Sequence, residues 1–175
     1  MIPITTERLT LRAFALDDAA FILALLNDPD WIRFIGDRGI HTLDDARRHI
    51  SEKYLAAYER DGFGLMLAVR HEDGAPIGMC GLLRREGLAD VDIGFAFLPQ
   101  YRGQGIALEA ARAVLAHGRD VLNIKRVVAI TLPENIASIS LLEKLGLQFE
   151  SNVVLPEVGL PHDPATLRLY AINFA

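Results

Sequence analysis

The sequence predicts an α/β fold, a mixed (α+β) sheet with helices on its faces, and three observations carry that prediction. Short runs alternate or cluster β-branched and aromatic residues, as strands do. Longer runs space their apolar residues by three and four, as helices do. The two kinds follow one another in the order β-α-α-β-β-β-α-β-α-β-β, about seven strands and four helices, which is not the regular alternation of a doubly wound sheet.

Thr6-Glu-Arg-Leu-Thr-Leu-Arg12 alternates polar with apolar residues, so Leu9 and Leu11 face a core from a first strand. Asp17 or Asp18 caps a helix with Phe21, Ile22, Leu25 and Leu26 at helical spacing, stopping near Asn27-Asp28-Pro29. Trp31 to Gly39 reads as an irregular aromatic segment in which Trp31 and Phe34 seal the core edge or line a pocket. Thr42 and Asp45 stand in capping-box spacing at the start of a second helix, which runs to about Arg60 with Ile50, Tyr54 and Ala57 on one face. Arg47, Arg48 and His49 read as its solvated face, and Asp61-Gly62 ends it.

Leu65 to Arg70 and Pro76 to Leu83 are strands joined by a hairpin turn at His71-Glu-Asp-Gly-Ala75, and Asp90 to Phe97 completes the meander. A third helix begins at about Ile106 and turns Ile106, Ala110, Ala113, Val114 and Val121 inward. Arg126 to Thr131 is a β-branched strand suited to a sheet centre. Asn135 to Leu145 is a fourth helix, ended by Gly146. Gln148 to Val154 and Leu167 to Ile172 are the last strands, flanking a proline-rich loop from Pro156 to Pro164.

With 175 residues and 51% hydrophobic content, the expectation is one domain, 1–175, with a substantial core. The apolar runs fall well short of the ~20 residues that span a bilayer. The N-terminus Met1-Ile-Pro-Ile-Thr-Thr-Glu lacks the basic and apolar regions of a signal peptide, so a cytoplasmic location with no membrane partner is expected. The single cysteine, Cys80, excludes an internal disulfide and a cysteine-based zinc site, and no metal is expected. Net charge of −5 argues against nucleic-acid binding and is compatible with an amine-bearing or basic substrate.

The chemistry concentrates in Leu98-Pro-Gln-Tyr-Arg-Gly-Gln-Gly-Ile-Ala-Leu-Glu-Ala-Ala-Arg112, where a strand ends, two glycines follow and a helix begins. A helix N-terminus has unpaired N–H groups and a partial positive charge, and neighbouring glycines let backbone approach a ligand closely. That combination cradles phosphate. The dinucleotide spacing G-x-G-x-x-G fails, because from Gly103 its third glycine falls on Leu108, and the P-loop spacing fails as well. The hexad present, Arg102-Gly103-Gln104-Gly105-Ile106-Ala107, resembles the (Gln/Arg)-x-x-Gly-x-(Gly/Ala) pyrophosphate loop of the GNAT superfamily of acyl-CoA-dependent N-acyltransferases.

A second segment, Glu134-Asn135-Ile-Ala-Ser138 through Glu143-Lys144-Leu-Gly146-Leu, resembles the Asn-x-x-Ser...Glu-Lys-x-Gly-(Phe/Leu) segment of the branch typified by ribosomal-protein alanine N-acetyltransferases. Thr6 to Arg12 and Glu109-Ala110 are similar to that branch too, so the resemblance covers nearly the whole chain in four ordered matches. It implies the GNAT fold with a splayed central strand pair, and acetyl-CoA as co-substrate. It further implies contacts to the cofactor from Arg102, Gly103, Gln104, Gly105, Ile106, Ala107 and Leu108, from the backbone of Phe95, Ala96 and Phe97, and from Asn135 and Ser138.

The implied activity is acetyl transfer to a primary amine, on a protein N-terminus or a small molecule, by direct attack. The open alternative is a non-catalytic acyl-CoA-binding module or sensor. Asp92, beside the cleft strand, and Glu157, in the late loop where the alanine acetyltransferases have a glutamate, are candidates for the base. Many relatives place a tyrosine acid where this chain has Leu142, and Ser138 matches the serine that the alanine branch is thought to use instead. Cys80 sits in an apolar strand and reads as core, not as an acyl carrier. A homodimer is the default expectation for assembly.

Overall fold

The computed structural model describes residues 1–160 and 163–175, with the side chains of 156–160 and 163–164 outside that description. The strands are β1 (Ile4–Thr5), β2 (Leu9–Arg12), β3 (Leu65–Arg70), β4 (Pro76–Leu83), β5 (Val91–Phe97), β6 (Arg126–Thr131), β7 (Gln148–Leu160) and β8 (Asp163–Asn173). They form one sheet in the order β1-β2-β3-β4-β5-β6-β8-β7. The fold class is the mixed α/β sheet that the sequence predicts.

Strand alternation sorts the core into two faces. Met66 and Ala68 of β3 pack with Ile106, Ala110, Ala111 and Val114 of helix α5 (Ile106–Asp120). Leu65, Leu67 and Val69 turn the other way, against Phe21, Ile22, Leu25 and Leu26 of α1 (Ala19–Leu26) and against Ile50 and Tyr54. Burying each such aliphatic side chain contributes roughly 1.5–3 kcal/mol. The second face also carries α2 (Pro29–Phe34) and a helical rod made of α3 (Leu43–His49), a π-helical stretch Ile50–Leu55 and α4 (Ala56–Asp61). The rod starts on the capping box foreseen, with Thr42 Oγ1 accepting from the Asp45 N–H at 3.0 Å and Asp45 accepting from the Thr42 N–H at 3.0 Å.

Four readings change. Thr6 to Arg12 is not one strand: the Thr6 N–H donates to the Leu9 carbonyl at 2.8 Å, and this turn folds β1 back on β2, adding the eighth strand. The segment after Pro29 is helical, because Asp28 accepts from the Trp31 N–H and Pro29 sits at the first helical position, where its missing N–H costs nothing. Val121 is exposed just past α5, whose buried stripe runs instead through Ala111, Leu115 and Gly118. The stretch Pro156 to Pro164 is strand on both sides of 161–162. β7 is an edge strand with a register shift between Val154 and Gly159, the setting in which a strand tolerates proline.

The functionally decisive feature is the junction of β5 and β6. Among the described residues it is the one parallel pairing in the sheet, and it holds only at Val91 with Val127 and Asp92 with Val128. β5 continues to Phe97 and β6 to Thr131 without pairing each other further. The sheet forks there, as the family resemblance implies.

Candidate active site

The fork exposes backbone donors. β4 and β5 pair antiparallel with Gly78 opposite Phe97 and Met79 opposite Ala96, and the Leu98 N–H donates to the Ile77 carbonyl at 3.0 Å. Amides alternate in direction along a strand, so those of Ala96 and Gly94 face β4, while those of Phe97, Phe95 and Ile93 face the opening toward β6. Of the three residues named for thioester contact, Phe95 and Phe97 thus present donors to the gap and Ala96 presents its own to Met79.

The loop after β5 completes a second set of donors. Pro99–Tyr101 forms a single 3-10 turn, and Gly103 and Gly105 have φ of 72° and 75°, a left-handed conformation that side chains disfavour. A Cβ at Gly103 would meet no atom within 4 Å, so the loop surface is open to a ligand. No side chain caps α5, and the Glu109 N–H is the first to reach an intrahelical acceptor, the Gly105 carbonyl at 3.0 Å. The amides of Ile106, Ala107 and Leu108 at the helix N-terminus are therefore available to an anion.

Two ionic clamps, neither visible as a local pattern, hold this loop. The Arg102 guanidinium bonds the Phe97 carbonyl at 2.9 Å and Asp28 at 2.8 Å, and also pairs with Asp30. Its side chain is thus engaged in tying α2 to the loop. On the other side Glu109 accepts from Thr6 Oγ1 at 2.6 Å, the Arg8 N–H at 2.8 Å and Arg8 Nε at 2.6 Å, while Arg8 also bonds the Gln104 carbonyl at 3.0 Å. Two stretches quoted for the resemblance, Thr6 to Arg12 and Glu109-Ala110, meet here.

Burial works to raise the Glu109 pKa, but the bonds from Thr6 and Arg8 outweigh it and hold the carboxyl below its usual 4.5. The stabilisation is present above that value and is lost as pH falls through the lowered one. Glu109→Ala is expected to cost about 1–3 kcal/mol, read as a lower denaturant midpoint at pH 7, with the difference from the intact protein shrinking as the carboxyl is protonated below its usual 4.5.

The facing wall is the start of α6 (Ile136–Lys144). Asn135 caps it, accepting from the Ser138 N–H at 3.2 Å, and both residues line the cleft. The Ser138 side chain is half-buried. Leu142, at the position of the tyrosine in many relatives, is 1% exposed in the core, so no phenol is available there.

Asp92 stands at the last pair before the fork, and is 1% exposed. Arg85 Nε donates to its Oδ2 at 2.9 Å, while Oδ1 is buried with no hydrogen-bond partner. Burial raises its pKa to about 6 against the opposing pull of Arg85. Glu157 falls in β7, and its side chain lies outside the described residues. Cys80 is fully buried, and burial pushes its thiol pKa far up, consistent with a core residue.

These elements surround one cleft of about 1350 Å³, lined by Asp92, Phe95 to Phe97, Arg102, Gly103, Gly105 to Leu108, Asn135 and Ser138. Its other half is lined by Trp31 and Phe34, for which lining a pocket is one of the two expectations from sequence, and by Arg38, His49, Lys53 and Tyr54. His49 is the clearest departure. It is half-buried beside Tyr54, not part of the solvated face with the ion-paired Arg47 and Arg48.

Residues 8–148 match the family described as Acetyltransferase (GNAT) domain. The chain is 29% identical over 147 residues to the uncharacterized N-acetyltransferase YnaD of Bacillus subtilis (strain 168), covering 84% of this chain and 83% of that protein. It is 31% identical over 147 residues to the uncharacterized N-acetyltransferase p20 of Bacillus licheniformis, covering 83% and 82%. The crystal structure of a GNAT-family acetyltransferase from Bacillus anthracis superposes with a TM-score of 0.81 at 25% identity over 98% of each chain. Fork, glycine loop and capped second wall are thus found in a chain whose sequence matches over most of its length: the protein belongs to the GNAT acetyltransferase family.

Proposed function

We propose that this N-acetyltransferase moves the acetyl group of acetyl-CoA to a primary amine, on a protein N-terminus or a small molecule, by direct attack in a ternary complex. The observation that carries the reading is the fork. One cleft brings together outward amides on β5, a glycine loop leading into an uncapped helix, and a buried carboxylate with an unbonded oxygen.

The residues present fit the cofactor. Backbone of Gly103 to Leu108 suits its pyrophosphate, with Arg102 holding the loop in place through Asp28 and Asp30. Phe95 and Phe97 amides suit the pantetheine arm and the thioester carbonyl, where donors stabilise developing negative charge. Asn135 and Ser138 form the opposite wall. Acetyl-CoA, once bound, supplies an acyl group activated as a thioester.

The amine must lose a proton, and Asp92 accepts it, directly or through one water. Its raised pKa places it closer to neutrality than an ordinary carboxylate, which suits a general base. Glu157 is the second candidate for this role. A lysine-type amine with pKa ~10.4 is rarely neutral at pH 7, whereas an α-amine near ~7.8 is neutral in roughly one molecule in ten, so an α-amine demands less. Ser138 donates a hydrogen bond to the departing sulfur. Ser138→Ala is then expected to lower kcat about tenfold with little change in KM for acetyl-CoA, as loss of one transition-state hydrogen bond would.

Direct attack is favoured over an acyl-enzyme by the burial of the lone cysteine. A second reading, an acyl-CoA-binding module without turnover, draws on Leu142 standing where relatives have a tyrosine. Thiol release from acetyl-CoA across a panel of amines and peptides separates them: release that depends on the amine supports transfer, and tight binding without release supports the module.

A further inference from the structure

Val91, Ile93, Phe95 and Phe97 of β5 pack toward α5, so strand alternation turns Asp92 to the opposite face of the sheet. The loop from Arg84 to Asp90 folds over that face and is fastened at three points. The Arg84 guanidinium lies 5.9 Å from the centre of the Phe63 ring, Leu88 packs into the apolar clusters of Val128, Leu169, Leu155 and Leu167, and Asp90 accepts from Arg126 Nε at 2.9 Å. The Leu88 N–H also donates to the Arg85 carbonyl at 3.2 Å, closing the turn that Arg85 begins. Arg85 therefore approaches Asp92 from a backbone held on both sides.

The contact differs in form from two pairs elsewhere in the chain. Arg12 with Asp18, and Arg70 with Asp73, each place two guanidinium nitrogens on the two oxygens of one carboxylate. That bidentate form is the stronger pair and leaves no oxygen idle. Arg85 offers only Nε, to Oδ2 at 2.9 Å, and Oδ1 stays buried with no hydrogen-bond partner. An idle buried oxygen is costly as structure. It is what proton uptake in the cleft requires, and Arg85 and Asp92 both line that cleft.

A fully buried carboxylate is neutral at pH 7 unless a nearby cation opposes burial. The strands on either side place Leu83 and Val128 opposite Asp92, so they bring no charge. In the loop, Arg84 and Glu86 are exposed and Asp90 is bound by Arg126. Among the described residues the charge that acts on Asp92 is that of Arg85. Burial raises the Asp92 pKa to about 6, and Arg85, first by its charge and then by its hydrogen bond, keeps it from rising further.

We propose that Arg85 is a positioning residue for the base: its guanidinium fixes one oxygen of Asp92, leaves the other open to the proton of the acceptor amine, and supplies the charge that keeps the buried group ionised between turnovers. This rests on the transfer reading for the role of Asp92, but not for the hold of Arg85 on it. Because a single nitrogen makes the contact, the charge matters more here than the planar fork of the guanidinium, and a lysine can stand in.

The test titrates Asp92 itself, by NMR of its carboxyl carbon in protein made with isotope-labelled aspartate, the signal being assigned by its loss in Asp92→Asn. Arg85→Gln and Arg85→Met, which remove the charge, are expected to raise the Asp92 midpoint by at least one pH unit, and Arg85→Lys to leave it within about half a unit of the intact protein. Both neutral variants keep the loop's contacts to Phe63, Leu88 and Arg126. With acetyl-CoA and L-alaninamide, the rise of kcat/KM with pH moves up in step, so Arg85→Gln is about eightfold slower than the intact protein at pH ~5.5 and within about twofold at pH ~9. An arginine that served structure alone would lower activity equally at every pH.

An Asp92 midpoint unmoved by both neutral variants overturns the proposal, as does Arg85→Lys moving it as far as they do. A midpoint that moves while the kcat/KM profile stays in place, or while none of a panel of amines is acetylated, upholds the hold of Arg85 on Asp92 and defeats Asp92 as the base.

Discussion

Asp92→Asn lowers kcat for amine acetylation by about two to three orders of magnitude and leaves the protein folded. The carboxylate is buried at the mouth of the fork with one oxygen bonded to Arg85 and the other unbonded. The amide can still accept from Arg85 but cannot take up a proton. In the intact protein the base is ionised only above its raised pKa, so kcat/KM is expected to rise with pH through about 6, on top of the amine's own ionisation, and the variant loses that limb.

Stability supplies the opposite sign and so a control. A carboxyl whose folded pKa is raised from 3.8 to about 6 favours the folded state most below its unfolded value, and that contribution is lost as pH rises through 6. At pH 7 the buried charge is a burden, so Asp92→Asn is expected to match or exceed the intact protein in thermal midpoint while losing activity. A variant that lost stability and activity together, with its pH profile unchanged, would assign Asp92 to packing.

Gly105→Val raises KM for acetyl-CoA by at least about a hundredfold, the second large effect expected. The residue holds φ at 75°, where a β-branched side chain is strained, and its carbonyl accepts the first intrahelical bond of α5. The added methyls would also crowd the Arg8 guanidinium, which lies 3.6 Å from the position of a Cβ there and holds the loop through the Gln104 carbonyl. Gly62→Val is the matched comparison, because Gly62 has φ of 76° at the end of α4 and does not line the cleft. Both variants are expected to lose stability from backbone strain. Only Gly105→Val should lose the thermal stabilisation given by acetyl-CoA, which is about 2.7 kcal/mol at ~100 times the dissociation constant.

Much of this was legible in the chain because its signals are local. The turn into a helix at about Ile106, the capping box at Thr42 and Asp45, the Asn135 cap and the inward-facing Leu9 and Leu11 each rest on a few adjacent residues, and each forms as read. What escaped is mostly non-local. Arg102 reads as a phosphate ligand in isolation, yet its guanidinium is held by Asp28 and Asp30, more than seventy residues away. Glu109 reads as a first-turn acid on α5, and only the fold brings it to Thr6 and Arg8.

His49 looked solvated because it follows Arg47 and Arg48 in sequence, but α3 turns it inward against Tyr54. The α2 helix could have been read. Asp28-Pro29 is a capping residue followed by proline at the first helical position, a signal obscured by the aromatic residues that come after it.

Initial-rate kinetics of acetyl transfer, with acetyl-CoA and an accepted amine varied together, test the whole arrangement most directly. Direct attack at a fork that holds both substrates gives double-reciprocal lines that intersect, with one acetylated amine formed for each CoA released. Parallel lines, the mark of an acyl-enzyme, or CoA release without an acetylated amine, would contradict it.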